Sequence, residues 1–231
     1  MQVIITSYCR LKYLRQTVES LRQDDIQLFI ADGGSDDETK EYIKSAADGW
    51  LFFENNPGAD VLKTAGIKEF VTEREFLISS DDLRYPAGYS RLITEQYRKI
   101  NPANKKPEWT FVACNMPMIE ENHLDSPAWK MVNGVQLLPV ATSQVAGAIL
   151  DLEACKSVGY FPVYGRSGQG DWAISKRLRE VGYHLAYWRA PIIGHIGQDK
   201  WHDFPEYSAA FKNDEDSWIE SAMWDKLKGK V

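Results

Sequence analysis

The chain is poor in cysteine, has no excess of positive charge and lacks any long apolar run, and each shortfall narrows what it does. Its three cysteines, Cys9, Cys114 and Cys155, are odd in number and widely spaced, with no Cys-x-x-Cys pair. That pattern suits free thiols in a reduced compartment, so a soluble, cytoplasmic protein is expected. Lysine and arginine number 27 against 33 aspartates and glutamates, a formal net charge of −6. No global basic field advertises nucleic acid or an anionic membrane as partner, although a local basic groove stays open. No apolar stretch approaches the ~20 residues that cross a bilayer. Val3-Ile4-Ile5 follows the first methionine closely, leaving no room for the charged and apolar regions of a signal peptide. Internal repeats and low-complexity tracts are also missing.

What is there is an ordinary globular composition: 231 residues, 44% hydrophobic and 26% charged, enough for one large domain or two intimate halves. Val3 to Thr6 reads as a short buried strand, and Leu11, Leu14, Val18 and Leu21 recur at helical spacing. A strand over Ile26 to Ala31 ends in Asp32-Gly33-Gly34. Ser35 and Glu38 form a capping box, predicting a helix from Asp36 to Ala46. Leu51 to Phe53 predicts a strand, Asn55-Asn56-Pro57-Gly58 a turn, Val61 to Val71 a helix and Phe76 to Ser79 a further strand. This β-α-β rhythm is that of a mostly parallel sheet with right-handed crossovers. After a helix over Tyr89 to Ile100, the polar Asn101 to Pro107 segment is the candidate boundary. Beyond it, Trp109 to Cys114, Val145 to Leu152, His184 to Trp188 and Ile192 to Gln198 read as extended. A helix carrying Ile174, Leu178 and Val181 begins at Gly170-Asp171. The expected division is residues 1–100, 101–199 and a tail, 200–231, rich in tryptophan and charge.

The run Phe76-Leu77-Ile78-Ser79-Ser80-Asp81-Asp82 stops abruptly on two adjacent carboxylates. Open α/β sheets bind ligands beyond the carboxyl ends of their strands. Hard divalent cations are held there by carboxylates together with substrate phosphates. A solvated Asp-Asp turn before Pro86 is the plain alternative. The predicted strand ends carry Ser7 to Arg10, Asp32 to Ser35, and Asp81-Asp82, so three polar clusters converge on one edge.

Several of these stretches resemble family 2 glycosyltransferases of the GT-A fold. Ile4-Ile5-Thr6-Ser7-Tyr8-Cys9-Arg10 is similar to that family's Ile-Ile-Pro-Thr-Tyr-Asn-Arg opening. Ala31-Asp32-Gly33-Gly34-Ser35-Asp36-Asp37 resembles its Val-Asp-Gly-Gly-Ser-Thr-Asp, and Leu62-Lys63-Thr64-Ala65-Gly66-Ile67 its Ala-Arg-Asn-Ala-Gly-Ile. Ser79-Ser80-Asp81-Asp82 falls on Asp-Ser-Asp-Asp, and Gly170-Asp171-Trp172 on the Glu-Asp pair of the acceptor half. The resemblance runs over roughly residues 1 to 200 in order and spacing.

The resemblance implies an α/β GT-A fold, with a Rossmann-like, mostly parallel central sheet flanked by helices and a mixed acceptor-side half. It implies a glycosyltransferase, hexosyl or pentosyl, using a nucleotide-sugar donor, most often a UDP-sugar. Asp32 would hydrogen-bond the base, lined by Thr6, Ser7 and Tyr8, with Lys63 near base or diphosphate. Arg10 and Ser80 lie in the same donor motifs. Asp81 would bind Mn²⁺ or Mg²⁺, His195 falls where related enzymes place a metal-binding histidine, and Asp171 would be the general base of an inverting displacement. Two positions depart from the pattern: Ser79 replaces the first acidic residue of the metal motif, and Gly170 replaces the glutamate before the base.

Other roles stay open at each residue. Asp32 also suits a turn, Asp171 a helix N-cap, Lys63 a solvated helix face and His195 a hydrogen-bonded core position among Ile192, Ile193 and Ile196. Trp172 and Trp201 are candidates for stacking on a sugar, and Lys200-Trp201-His202 for a lid over the diphosphate. A nucleotidyltransferase is disfavoured because Ser7 to Arg10 contains no glycine to cradle phosphates. A GT-A module that binds a nucleotide sugar or a partner without turnover is the competing reading, supported by Ser79 and Gly170. The acceptor is a saccharide, a protein or a modified nucleobase, such as hydroxymethylated phage DNA. The acidic charge and the small Lys99, Lys105, Lys106 cluster weigh against the last.

Overall fold

The computed structural model describes residues 1–103, 107–114, 129–141, 146–162, 170–188 and 193–196. Eleven strands are β1 Gln2–Ser7, β2 Gln27–Asp32, β3 Gly49–Phe52, β4 Glu75–Ser80, β5 Leu83–Arg84, β6 Trp109–Cys114, β7 Lys130–Val132, β8 Val135–Val140, β9 Ala148–Asp151, β10 His184–Trp188 and β11 Gly194–His195. The helices are α1 Leu11–Leu21, α2 Asp37–Ala46, α3 Ala59–Phe70, α4 Tyr89–Ile100, α5 Leu152–Ser157 and α6 Gly170–Glu180.

Nine strands form one sheet in the order β3-β2-β1-β4-β9-β6-β10-β8-β7, and β5 and β11 form a small second sheet. The first four strands of the chain are parallel neighbours, joined by α1, α2 and α3 as crossovers. From β9 onward the sheet is mixed: β9 runs antiparallel to β4 and β6, while β6 and β10 are parallel. β1 is buried along its whole length, as a strand covered on both faces must be, and its run of Val3, Ile4 and Ile5 is the middle of the core. Gly66 lets α3 lie directly on that strand, since a β-carbon there would come within 2.8 Å of Ile4 Cγ2.

Several expected elements are corrected. Ser35 and Glu38 do not form the capping box. Asp36 is the N-cap of α2 and accepts from Thr39 N, while the Ser35 oxygen accepts from Cys9 N at 2.7 Å and its hydroxyl donates to Asp32 Oδ2 at 2.5 Å. The strand expected over Val145 to Leu152 is Ala148–Asp151, after which Asp151 caps α5 by accepting from Ala154 N. The segment expected over Ile192 to Gln198 contributes only the two-residue strand Gly194–His195 among its described residues. Asn101 is buried, and its side chain accepts from Glu108 N and Trp109 N and donates to Trp109 O, pinning the end of α4 to the start of β6. Trp201 and the Lys200-to-His202 lid, the 200–231 tail, and Lys105 and Lys106 lie outside the described residues.

Candidate functional site

The parallel register sets the ends of β1, β2 and β4 side by side: Thr6 pairs with Ala31 and with Ser80, and Ser7 with Asp32. The loops leaving those strands are stitched together. Gly33 N donates to Ser7 O at 2.9 Å, and Cys9 N donates to Ser35 Oγ at 2.7 Å, with Cys9 held at a φ of 54. Asp32 is fully buried, and its carboxylate accepts from Gly34 N, Ser35 N and Ser35 Oγ. Its described contacts therefore hold the Gly-Gly-Ser turn. Ser7 Oγ, by contrast, is buried with no hydrogen-bond partner among the described residues, an orphaned hydroxyl at the mouth of the sheet.

β4 delivers the carboxylate pair. Arg10, at the start of α1, places its guanidinium between them: Nη1 donates to Asp81 Oδ1 at 3.1 Å and to Asp82 Oδ2 at 2.7 Å. Tyr8 N donates to Asp81 Oδ2 at 3.3 Å, and Ser80 Oγ to Asp82 Oδ1 at 2.6 Å. His195 reaches the same place because β11 pairs antiparallel with β5, with His195 opposite Leu83 and Ile196 N donating to Asp82 O. Its Nε2 lies 3.1 Å from Asp82 Oδ2, so the described contact of His195 is with Asp82 rather than Asp81. Burial and the adjacent Asp82 charge push Asp81 up to about 7. Asp82 is also buried, yet the His195 hydrogen bond and the Arg10 charge hold its carboxyl well below the usual range.

Among the described residues no three histidine, cysteine or acidic side chains are gathered at metal-ligand spacing. The donor chemistry nonetheless fits a hard cation. Asp81 and Asp82 are buried side by side, His195 stands on Asp82, and the Arg10 guanidinium pairs with both carboxylates; burial first, and then the neighbouring Asp82 charge, raise Asp81. Ser79 stays out of this set, its hydroxyl accepting from Tyr85 Oη at 2.7 Å.

Asp171 stands in the first turn of α6, its side chain 28% exposed and so open to an incoming group. Lys63 is not on a solvated face. It is buried on α3, its Nζ donating to Asp171 Oδ1 at 2.7 Å and to Asp60 Oδ1 at 3.4 Å and standing 5.1 Å from the Phe161 ring centre. Sequence reading missed Asp60, although an aspartate one helical turn before a buried lysine is a pairing signal. Trp172 packs under Lys176, whose Nζ lies 5.7 Å from its ring centre.

The fold is matched elsewhere. Residues 2–73 match the model of glycosyl transferase family 2. Among solved structures, S. aureus TarS superimposes with a TM-score of 0.62 at 14% identity, covering 84% of this chain and 36% of that one. S. aureus TarS 1–349 in complex with UDP-GlcNAc gives 0.64 at 14% identity, covering 84% and 57%. GalNAc-T7 with UDP, GalNAc and Mn²⁺ gives 0.59 at 12% identity, covering 84% and 42%. The chain thus spans well under two thirds of the length of these structures. No curated protein matches its sequence. No helix among the described residues is long and apolar enough to cross a membrane. Residues 2–73 carry the family 2 glycosyltransferase pattern, on a chain whose described residues take the GT-A fold.

Proposed function

We propose that the chain is a glycosyltransferase that moves a hexosyl or pentosyl group from a nucleoside-diphosphate donor, a UDP-sugar, to an acceptor hydroxyl. The observation that carries this reading is the convergence of the β1, β2 and β4 ends on the Arg10–Asp81–Asp82–His195 cluster. The matched family over residues 2–73, and TarS structures holding UDP or UDP-GlcNAc on the same fold, support it. In this reading residues 1–100 form the donor half, 101–199 the acceptor half of the same domain, and 200–231 a tail. The buried Ser7 hydroxyl and the Thr6 to Tyr8 backbone line the nucleotide, and Asp32 holds the turn that shapes its pocket. Ser80 orients Asp82, and a saccharide, protein or modified nucleobase supplies the accepting hydroxyl. The free Cys9 and Cys155 thiols favour the cytoplasm.

Asp81 and His195 are the residues that would hold Mn²⁺ or Mg²⁺, with Asp82 orienting the imidazole. Such an ion supplies charge neutralisation for the diphosphate leaving group. Asp171 takes the proton of the acceptor hydroxyl as its oxygen attacks the anomeric carbon. The bond to the diphosphate breaks on the opposite face, so configuration inverts. Lys63 fixes the Asp171 carboxylate at 2.7 Å, so that the base meets the acceptor in one orientation.

The deciding experiment is thermal unfolding with UDP, GDP, CDP and dTDP, each with and without Mn²⁺. At about 100 times its dissociation constant a ligand stabilises the fold by ~2.7 kcal/mol. A metal-dependent shift with UDP, followed by transfer with inverted configuration, upholds the reading. Binding without transfer or donor hydrolysis favours the alternative of a turnover-deficient module. A shift with none of the four overturns the nucleotide-sugar reading.

A further inference from the structure

We infer that Asp60 is a positioning residue for the base, holding Lys63 against Asp171 from the donor-side helix α3 while it anchors the first turn of α6. This inference rests on the reading of Asp171 as the base. Three observations converge on Asp60. Its carboxylate is 2% exposed, so its charge is held by hydrogen-bond partners rather than by solvent. Oδ2 accepts from Gly170 N at 3.0 Å, across 110 residues of sequence, so an anion caps the amino end of α6 at the residue before Asp171. Oδ1 accepts from Lys63 Nζ at 3.4 Å, and the same ammonium donates to Asp171.

Gly170 is what admits Asp60. A β-carbon at position 170 would overlap the Asp60 carboxyl group, so any side chain there must displace it. The glycine and the aspartate are therefore one device: the carboxylate that position 170 does not carry is supplied through space from α3. The charges facing Lys63 are Asp171 on α6 and Asp60 on its own helix, and together they outweigh burial and raise its affinity for the proton. Asp60 is raised by burial and by the Asp171 charge, against the pull of Lys63. A lysine paired with one carboxylate alone would depress that carboxylate's basicity. The ammonium is shared with Asp60, and its 2.7 Å hydrogen bond fixes where the Asp171 carboxylate points.

The test is an NMR titration of isotope-labelled aspartate carboxyl carbons, with the Asp171 signal assigned by its loss in Asp171→Asn. Asp60→Asn keeps the shape and removes the charge, and the Asp171 midpoint is expected to fall by about one pH unit. Gly170→Ala keeps every charge and displaces only the Asp60 carboxylate, and it is expected to shift the midpoint in the same direction. It carries the test if Asp60→Asn does not fold. In parallel, Asp60→Asn is expected to lower kcat about tenfold with the donor KM unchanged. An unmoved Asp171 midpoint in the folded variants overturns the inference, since a packing role would cost stability without moving it. Absence of transfer by the wild-type chain defeats the functional reading instead, and the titration still decides the role of Asp60.

Discussion

Tyr85 Oη donates to Ser79 Oγ at 2.7 Å, inside a core where Ser79 is 1% exposed and Tyr85 4%. The place where the resembled family carries its first acidic metal-motif residue is here a sealed hydroxyl pair, with Ser79 Oγ in turn donating to Ser80 O at 2.9 Å. An acid at that position has a tyrosine hydroxyl to meet but no described cation. Ser79→Asp is therefore expected to destabilise the protein by about 3 kcal/mol or more at pH 8, the scale of an uncompensated buried charge. Mn²⁺ affinity is expected not to improve. Urea unfolding and a metal titration of the folded variant check the two halves; a stable variant with tighter metal binding would show that position 79 faces the metal after all.

Arg10 is the described cation shared by Asp81 and Asp82, and its side chain is 13% exposed. Arg10→Ala leaves two adjacent buried carboxylates with no guanidinium, a loss expected to cost about 3–5 kcal/mol at pH 8. The cost shrinks toward pH 5, because the pair can then hold a proton where the guanidinium stood. Urea midpoints at the two pH values measure the difference, and a pH-independent loss would mean that packing of the arginine stem, not its charge, is what matters.

The first hundred residues were legible because local rules and tertiary demand agree there. Leu11, Leu14, Val18 and Leu21 gave α1, and the apolar run ending at Asp81 gave β4. What escaped depends on partners distant in sequence. The Ser35 hydroxyl went to Asp32 and Cys9 instead of its own helix, an outcome that local capping statistics do not contain. The β7–β8 hairpin was missed although Asn133-Gly134, both at positive φ (48 and 80), is a recognised hairpin turn signal. The β5–β11 pair joins two-residue strands, too short for any period to show. Asp171 and the Asp81-Asp82 pair were named from sequence, whereas the Asp60–Lys63–Asp171 chain of contacts exists only once α3 and α6 are packed together.

Asp81 lends itself to a pH test. Burial and Asp82 push its carboxyl up to about 7, against ~3.9 in an unfolded chain. Between those values the folded state keeps a proton that the unfolded state has released, so metal-free stability from this group falls as pH rises through the window. Asp81→Asn removes that loss. The variant is expected to match the wild type near pH 4 and to exceed it above pH 7, each tenfold difference in proton affinity between the two states being worth about 1.4 kcal/mol. It is also expected to lose any Mn²⁺-induced rise in unfolding temperature. A variant less stable than wild type at pH 8 without metal would contradict the raised Asp81 carboxyl.

Asp171→Asn separates chemistry from donor binding. The amide keeps the size of the carboxylate and its oxygen can still accept from Lys63 Nζ, now at 2.7 Å from Oδ1, so α6 and the pocket are expected to stay in place. What is lost is the ability to take a proton. General-base assistance is worth about 10²–10⁴-fold, so kcat is expected to fall by that factor while UDP binding in calorimetry is unchanged. Raising the pH should not rescue the variant, because an asparagine has no ionisation to complete. An acceptor that is already a strong nucleophile, such as a thiol analogue, should recover much of the rate, since it arrives with its proton weakly held. A fall of less than tenfold with a native hydroxyl acceptor would move the base elsewhere, and weakened UDP binding would make Asp171 part of the donor site.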